Sequence, residues 1–118
     1  MTKYLDSLKN GTLKKIAEEA HAMLENCDIC PRKCKVNRLK EQTGFCKTGS
    51  KARVHSAAAH HGEEPPVSGT SGSGTIFFSG CNLVCAYCQN FEFSQNKNGK
   101  ELTPDKIAAL MLKLQGSK

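Results

Sequence analysis

Seven cysteines in two groups constrain this chain more than any other feature. Cys27, Cys30, Cys34 and Cys46 are spaced C-x2-C-x3-C-x11-C, and Cys81, Cys85 and Cys88 are spaced C-x3-C-x2-C. An odd number cannot all pair as disulfides, and thiols set this closely on short loops follow the pattern of metal–thiolate sites. The rest of the 118-residue chain offers little competing order: hydrophobic residues make up 38%, aromatics 6%, and Trp is absent. A chain this short buries a modest share of its surface, so a bound metal would supply order that its core cannot.

The chain divides into four stretches. Residues 1–26 are helical: Tyr4, Leu5 and Leu8 suit a short helix, and Leu13, Ile16, Ala17, Ala20 and Leu24 recur at helical spacing to about Glu25, with Thr12 as N-cap after Gly11. Residues 27–50 form the four-cysteine loop. Residues 51–74 read as an extended connector, rich in Gly and Pro towards its end, with Arg53–Ala59 alternating loosely enough for a short strand. From 75 to 118 the pattern is strand, loop, helix. Thr75-Ile76-Phe77-Phe78-Ser79 is a short buried strand, and Thr103-Pro104-Asp105 opens a helix with Ile107, Leu110, Met111 and Leu114 on its apolar side, ending near Gly116. Phe77 and Phe78 belong to the core in this reading.

The second cysteine group follows that strand at once. Three thiolates on one short loop can hold three corners of a [4Fe–4S] cube, where an electron-transfer ferredoxin uses four. The fourth iron is then open to a small molecule. The alternative at this loop is zinc with a distant His as fourth ligand, for which His55, His60 and His61 are candidates.

With Tyr87 just before its last cysteine, the Cys81-x3-Cys85-x2-Cys88 loop resembles the signature of the radical S-adenosylmethionine (SAM) superfamily. The stretches Gly62-Glu63-Glu64-Pro65-Pro66, Ser79-Gly80-Cys81-Asn82-Leu83 and Cys88-Gln89-Asn90 resemble a narrower group, the radical SAM proteins similar to pyruvate formate-lyase activating enzyme. The resemblance implies that Cys81, Cys85 and Cys88 hold a [4Fe–4S] cluster whose fourth iron SAM chelates. It implies an oxidoreductase that cleaves SAM reductively to a 5′-deoxyadenosyl radical, which abstracts a hydrogen atom, with a glycine on a partner protein as one substrate class. It implies an electron donor such as flavodoxin or ferredoxin, and it places Tyr87 near the adenine of SAM. Asn82, Gln89 and Asn90 are read as shaping the loop by hydrogen bonds, without a catalytic role.

The first group suits a closed site. Four thiolates accept zinc or a second iron–sulfur cluster, and a redox role for the thiols is the remaining reading. Related activating-enzyme-like proteins carry a similar upstream set, which leaves the metal open. Arg32, Lys33, Lys35, Arg38 and Lys40 form a basic run, read as a solvated face; no aromatic platform accompanies it, so nucleic acid is not an expected partner. The formal net charge of +6 would fall to about +3 once both sites carried metal-bound thiolates, so basicity says little about partners.

The fold class expected is α/β: a helical, Cys-rich metal-binding segment followed by the first β/α unit of a truncated, partial TIM-type radical SAM barrel. Six such units need roughly 180 residues, so the chain reads as an N-terminal fragment of a longer enzyme, inactive alone. With a polar start and no apolar run of membrane-spanning length, the expected address is the cytoplasm. The competing function is a small two-site iron–sulfur or zinc protein, an electron carrier or a zinc-stabilised binding module.

Overall fold

The computed structural model describes residues 3–116. Two helices come first, α1 (Lys3–Lys9) and α2 (Thr12–Ala22), the second continuing as a 3-10 turn over Met23–Asn26. The pattern of leucines and alanines places these helices well, with one correction at their junction. Gly11 is the N-cap and Thr12 is already helical; Asn10 Oδ1 accepts from Thr12 N at 3.0 Å, so the asparagine, rather than the threonine, satisfies a free amide of the first turn. Neither helix buries a residue. The i,i+4 pairs Lys14–Glu18 and Lys15–Glu19, both at 3.9 Å and both solvated, add at most a few tenths of a kcal/mol each, roughly.

The sheet has three strands in the order β2–β1–β3, all antiparallel: β1 (Ala52–His60), β2 (Ser73–Phe78) and β3 (Lys100–Leu102). The stretch 51–74 is therefore more than a connector. Its first half is the central strand, and Pro65–Ser68 makes a short helix, α3, before β2. The path from the second cysteine loop to the last helix is also more elaborate than one β/α unit. A single-turn helix α4 (Phe91–Ser94) and β3 intervene before α5 (Pro104–Gly116). No parallel strand pair occurs among the described residues.

Alternation along β2 assigns its faces. Gly74, Ile76 and Phe78 look towards α5, where Ile107, Met111 and Leu114 share a cavity with them. Phe77 looks the other way, packing edge-on against Phe93 of α4 at 5.3 Å between centroids. The strand is half-buried rather than fully buried, with Phe78 47% exposed, because α5 covers its face only in part. A register shift between Val54 and Ser56 makes a bulge at His55 and turns its ring onto Phe93, stacked at 5.1 Å. His60 closes the same aromatic row against Phe77 at 6.0 Å. Of apolar side chains among the described residues, only Cys27 and Val54 are buried, and the radius of gyration of 16.4 Å exceeds the roughly 13–14 Å of a compact domain this long. The order in this chain comes from its loops as much as from its core.

Candidate metal centres

The upstream loop is a knot of short backbone bonds. Cys27 N donates to Val36 O (3.1 Å), Lys35 N to Cys27 O (2.9 Å) and Lys33 N to Cys30 O (3.0 Å). Closing turns this tight puts Lys33 and Lys35 in the left-handed region, at φ 42 and 55. The Lys35 ammonium, 2.8 Å from Asp28 Oδ2, holds that exposed carboxyl below its usual range, by its hydrogen bond first and its charge second.

Arg38 overturns part of the sequence reading. It is 5% exposed, not solvated, and its guanidinium lies against thiols: Nη2 donates to Cys46 Sγ at 3.4 Å, Nη1 donates to Thr48 O, and Cys27 is near enough to interact with the same charge. Cys34 Sγ accepts from Phe45 N at 3.4 Å. Burial pushes the Cys46 thiol up. Hydrogen bonds from Thr48 and the Arg38 charge outweigh it, and the group ends below the ordinary thiol value. A buried cation set against thiols is what a cluster of thiolates requires.

The second loop runs from Gly80 to Asn90 and carries Cys81, Cys85 and Cys88 half-buried, each a free thiol, as are the four upstream. Leu83 N donates to Cys81 Sγ at 3.4 Å, and Ser94 Oγ lies 3.3 Å from Cys88 Sγ. Gln95 Nε2, donating to Cys85 O at 2.9 Å, shapes the loop. Among the described residues, that role does not fall to the side chains of Asn82, Gln89 or Asn90. Val84 takes φ 55, in the left-handed region, within the x3 segment. Tyr87 is 91% exposed at the loop's outer side.

The two loops abut, which their separation in sequence conceals. Cys46 and Cys81 line one cavity of about 220 Å³ together with Phe45, Val84 and Gln95. Arg32 is exposed, as its solvated reading has it, yet it crosses between the loops: Nε donates to Asn82 O at 2.9 Å, and its guanidinium lies 3.8 Å from the centroid of Phe45. No sequence signal distinguished Arg32 and Arg38 from the lysines around them. Gly80 sits at the contact with φ 93. A Cβ there would lie 2.6 Å from Thr48 Oγ1 and 2.8 Å from Cys46 O. Gly80→Ala is therefore expected to cost about 1–3 kcal/mol from the left-handed backbone and the clash together. Urea unfolding of the two proteins checks it, and an unchanged midpoint would mean the loops do not touch.

As the thiols stand, no three Cys, His, Asp or Glu side chains among the described residues converge closely enough to hold a metal ion. The donor set nonetheless fits an iron–sulfur cluster. Three unpaired thiols leave one loop, and an amide and a hydroxyl already lie within hydrogen-bond reach of two of the sulfurs. Of the three histidines considered for this loop, His55 stacks on Phe93, His60 meets Phe77 edge-on, and His61 lies beside Gly72.

Residues 67–118 match the family described as the 4Fe-4S single cluster domain, which supports a cluster-binding domain in the part of the chain that holds Cys81, Cys85 and Cys88. A curated relative, an uncharacterized protein of Methanocaldococcus jannaschii, is 37% identical over 91 residues, or 77% of this chain. The chain spans about a quarter of that relative's length, the match covering 25% of it. No solved structure gives a significant match. No helix among the described residues is long and apolar enough to cross a membrane.

Proposed function

We propose that this chain carries the cluster-binding part of a radical SAM oxidoreductase of the activating-enzyme type. Cys81, Cys85 and Cys88 hold three irons of a [4Fe–4S] cluster, and the fourth is left for the amino and carboxylate groups of SAM. The observation that carries the reading is the number of thiols: the segment similar to a 4Fe-4S domain contains three cysteines and no fourth. When bound and reduced, such a cluster supplies the electron that cleaves SAM to methionine and a 5′-deoxyadenosyl radical.

The chain's own groups have separable parts in this. The Leu83 amide and the Ser94 hydroxyl stabilise negative charge on Cys81 and Cys88. Tyr87, exposed beside Cys88, is free to pack on the adenine. The upstream four-cysteine site binds zinc or a second cluster and braces the loop that presents the three thiols. In a longer protein, the outer edge of β2, unpaired among the described residues, is where further strands of a partial barrel would add. The substrate class proposed is a carbon–hydrogen bond such as that of a glycine on a partner protein, with a flavodoxin or ferredoxin as reductant in the cytoplasm.

Mössbauer spectroscopy on protein reconstituted anaerobically with iron-57, with and without SAM, tests the reading. The expected result is one cubane at the downstream loop, with one iron site altered by SAM. A cluster whose irons all ignore SAM would favour the electron-carrier reading, and zinc alone at both sites would end the enzyme reading.

A further inference from the structure

One peptide group in the second loop is held at both ends. The carbonyl of Asn82 accepts from Arg32 Nε at 2.9 Å, and the N–H of Leu83, the other end of that planar unit, donates to Cys81 Sγ at 3.4 Å. Arg32 Nη2 reaches the next carbonyl, Leu83 O, at 3.5 Å. The guanidinium is itself aimed: it rests 3.8 Å over Phe45, whose own N–H donates to Cys34 Sγ at 3.4 Å. The two bonds from Arg32 couple the upstream cysteine loop to the downstream one, and the others fix the groups at either end of that bridge.

From this we infer that Arg32 is a positioning residue that tunes the downstream cluster through the Asn82–Leu83 peptide. A cation on the carbonyl polarises the amide, and the polarised N–H becomes a stronger donor to the Cys81 sulfur, as hydrogen bonds in series reinforce one another. Hydrogen bonds to cluster sulfurs and nearby positive charge both favour the reduced, more negative state and raise the reduction potential. Arginine suits the task because its flat fork meets two successive carbonyls while stacking on a ring; a lysine brings the charge without the fork. The upstream site thereby acts on the redox chemistry of the other loop, although it contributes no ligand there. The inference rests on the proposed cluster at Cys81, Cys85 and Cys88.

The test is a dye-mediated reductive titration with dithionite, followed by electron paramagnetic resonance, on the wild-type chain, Arg32→Gln and Arg32→Lys, each at matched iron content. Arg32→Gln is expected to make the cluster about tenfold harder to reduce, a fall of about 59 mV for one electron. Arg32→Lys should recover part of that shift. A wild-type potential in Arg32→Gln, or Arg32→Lys indistinguishable from Arg32→Gln, overturns the inference. Amide exchange at Leu83 in the cluster-free chain provides a second readout, which stands even where a variant assembles no cluster. Exchange about tenfold faster in Arg32→Gln supports the held peptide, and unchanged exchange overturns it. If the wild-type chain assembles no cluster at all, the proposed function has failed, and the exchange measurement still decides whether Arg32 holds that peptide.

Discussion

Replacing Cys85 with alanine is expected to strip the downstream loop of its iron, and Cys81→Ala and Cys88→Ala should do the same. The loop has three thiols and the proposed cluster needs all of them. Loss of a group that merely supports a ligand costs about 10–100-fold in metal affinity, and loss of the ligand itself should exceed that. Iron and sulfide content after anaerobic reconstitution, with the visible absorption of the cluster, measures the effect. Cys30→Ala, in the upstream set, should leave the iron of the downstream loop in place while lowering the stability of the fold. Equal iron loss from both kinds of variant would mean that the two groups share one centre. The common cavity between Cys46 and Cys81 makes that outcome worth testing.

The elements that were legible in the sequence are those whose local signals agree with their final surroundings. Helix α5 starts at Pro104, directly after Thr103, and runs through Gly116, the last described residue, because capping residues and apolar spacing point one way. Strand β2 carries β-branched and aromatic residues and is found where they are. Strand β1 is the central strand yet shows as a loose alternation, because Ala57, Ala58 and Ala59 look alike on both faces and small side chains leave no period to read. Lys100-Glu101-Leu102 has no strand character of its own. It becomes β3 because Ala52, Arg53 and Val54 present a free edge, with Arg53 paired to Glu101 at 2.6 Å.

The cysteine spacing made the candidate site visible, but not the residues that couple its two halves. Arg32 and Arg38 stand in a run of like charges, and what separates them from Lys33 and Lys40 is only what they meet across the fold. Composition treats the five basic residues as one solvated face. Tertiary contact divides them into a buried counter-ion, a bridge between loops, and lysines such as Lys35, which pairs with Asp28 at the surface.

Arg38→Ala is expected to be strongly destabilising, because it removes a buried cation. Truncation removes the donor to Thr48 O and to Cys46 Sγ and leaves a depressed-pKa thiol in a site that burial alone would make hostile to its charge. Removing one partner of a buried ionic contact costs about 3–5 kcal/mol, against the 5–15 kcal/mol or so that holds an ordinary domain together. Because Cys46 is only half-buried and water can reach its thiol, the loss should fall near the lower end of that range, about 3 kcal/mol. Urea unfolding at fixed metal content measures it; a loss below about 0.5 kcal/mol would place Arg38 with the solvated lysines after all.

The pH dependence has a definite sign in the metal-free chain. The Cys46 thiol is depressed in the fold, so its contribution is fully present above the unfolded thiol pKa of about 8.5 and is lost as the pH falls through the lower folded value. Arg38 supplies part of that depression. The gap between wild type and Arg38→Ala should therefore be wider above about pH 8.5 than near about pH 6. Metal loading should flatten this dependence, because metal-bound thiolates no longer take up protons over that range. A gap that stays constant with pH in the metal-free chain would show that Arg38 acts by packing and by its bond to the Thr48 carbonyl, rather than as the counter-charge of the thiols.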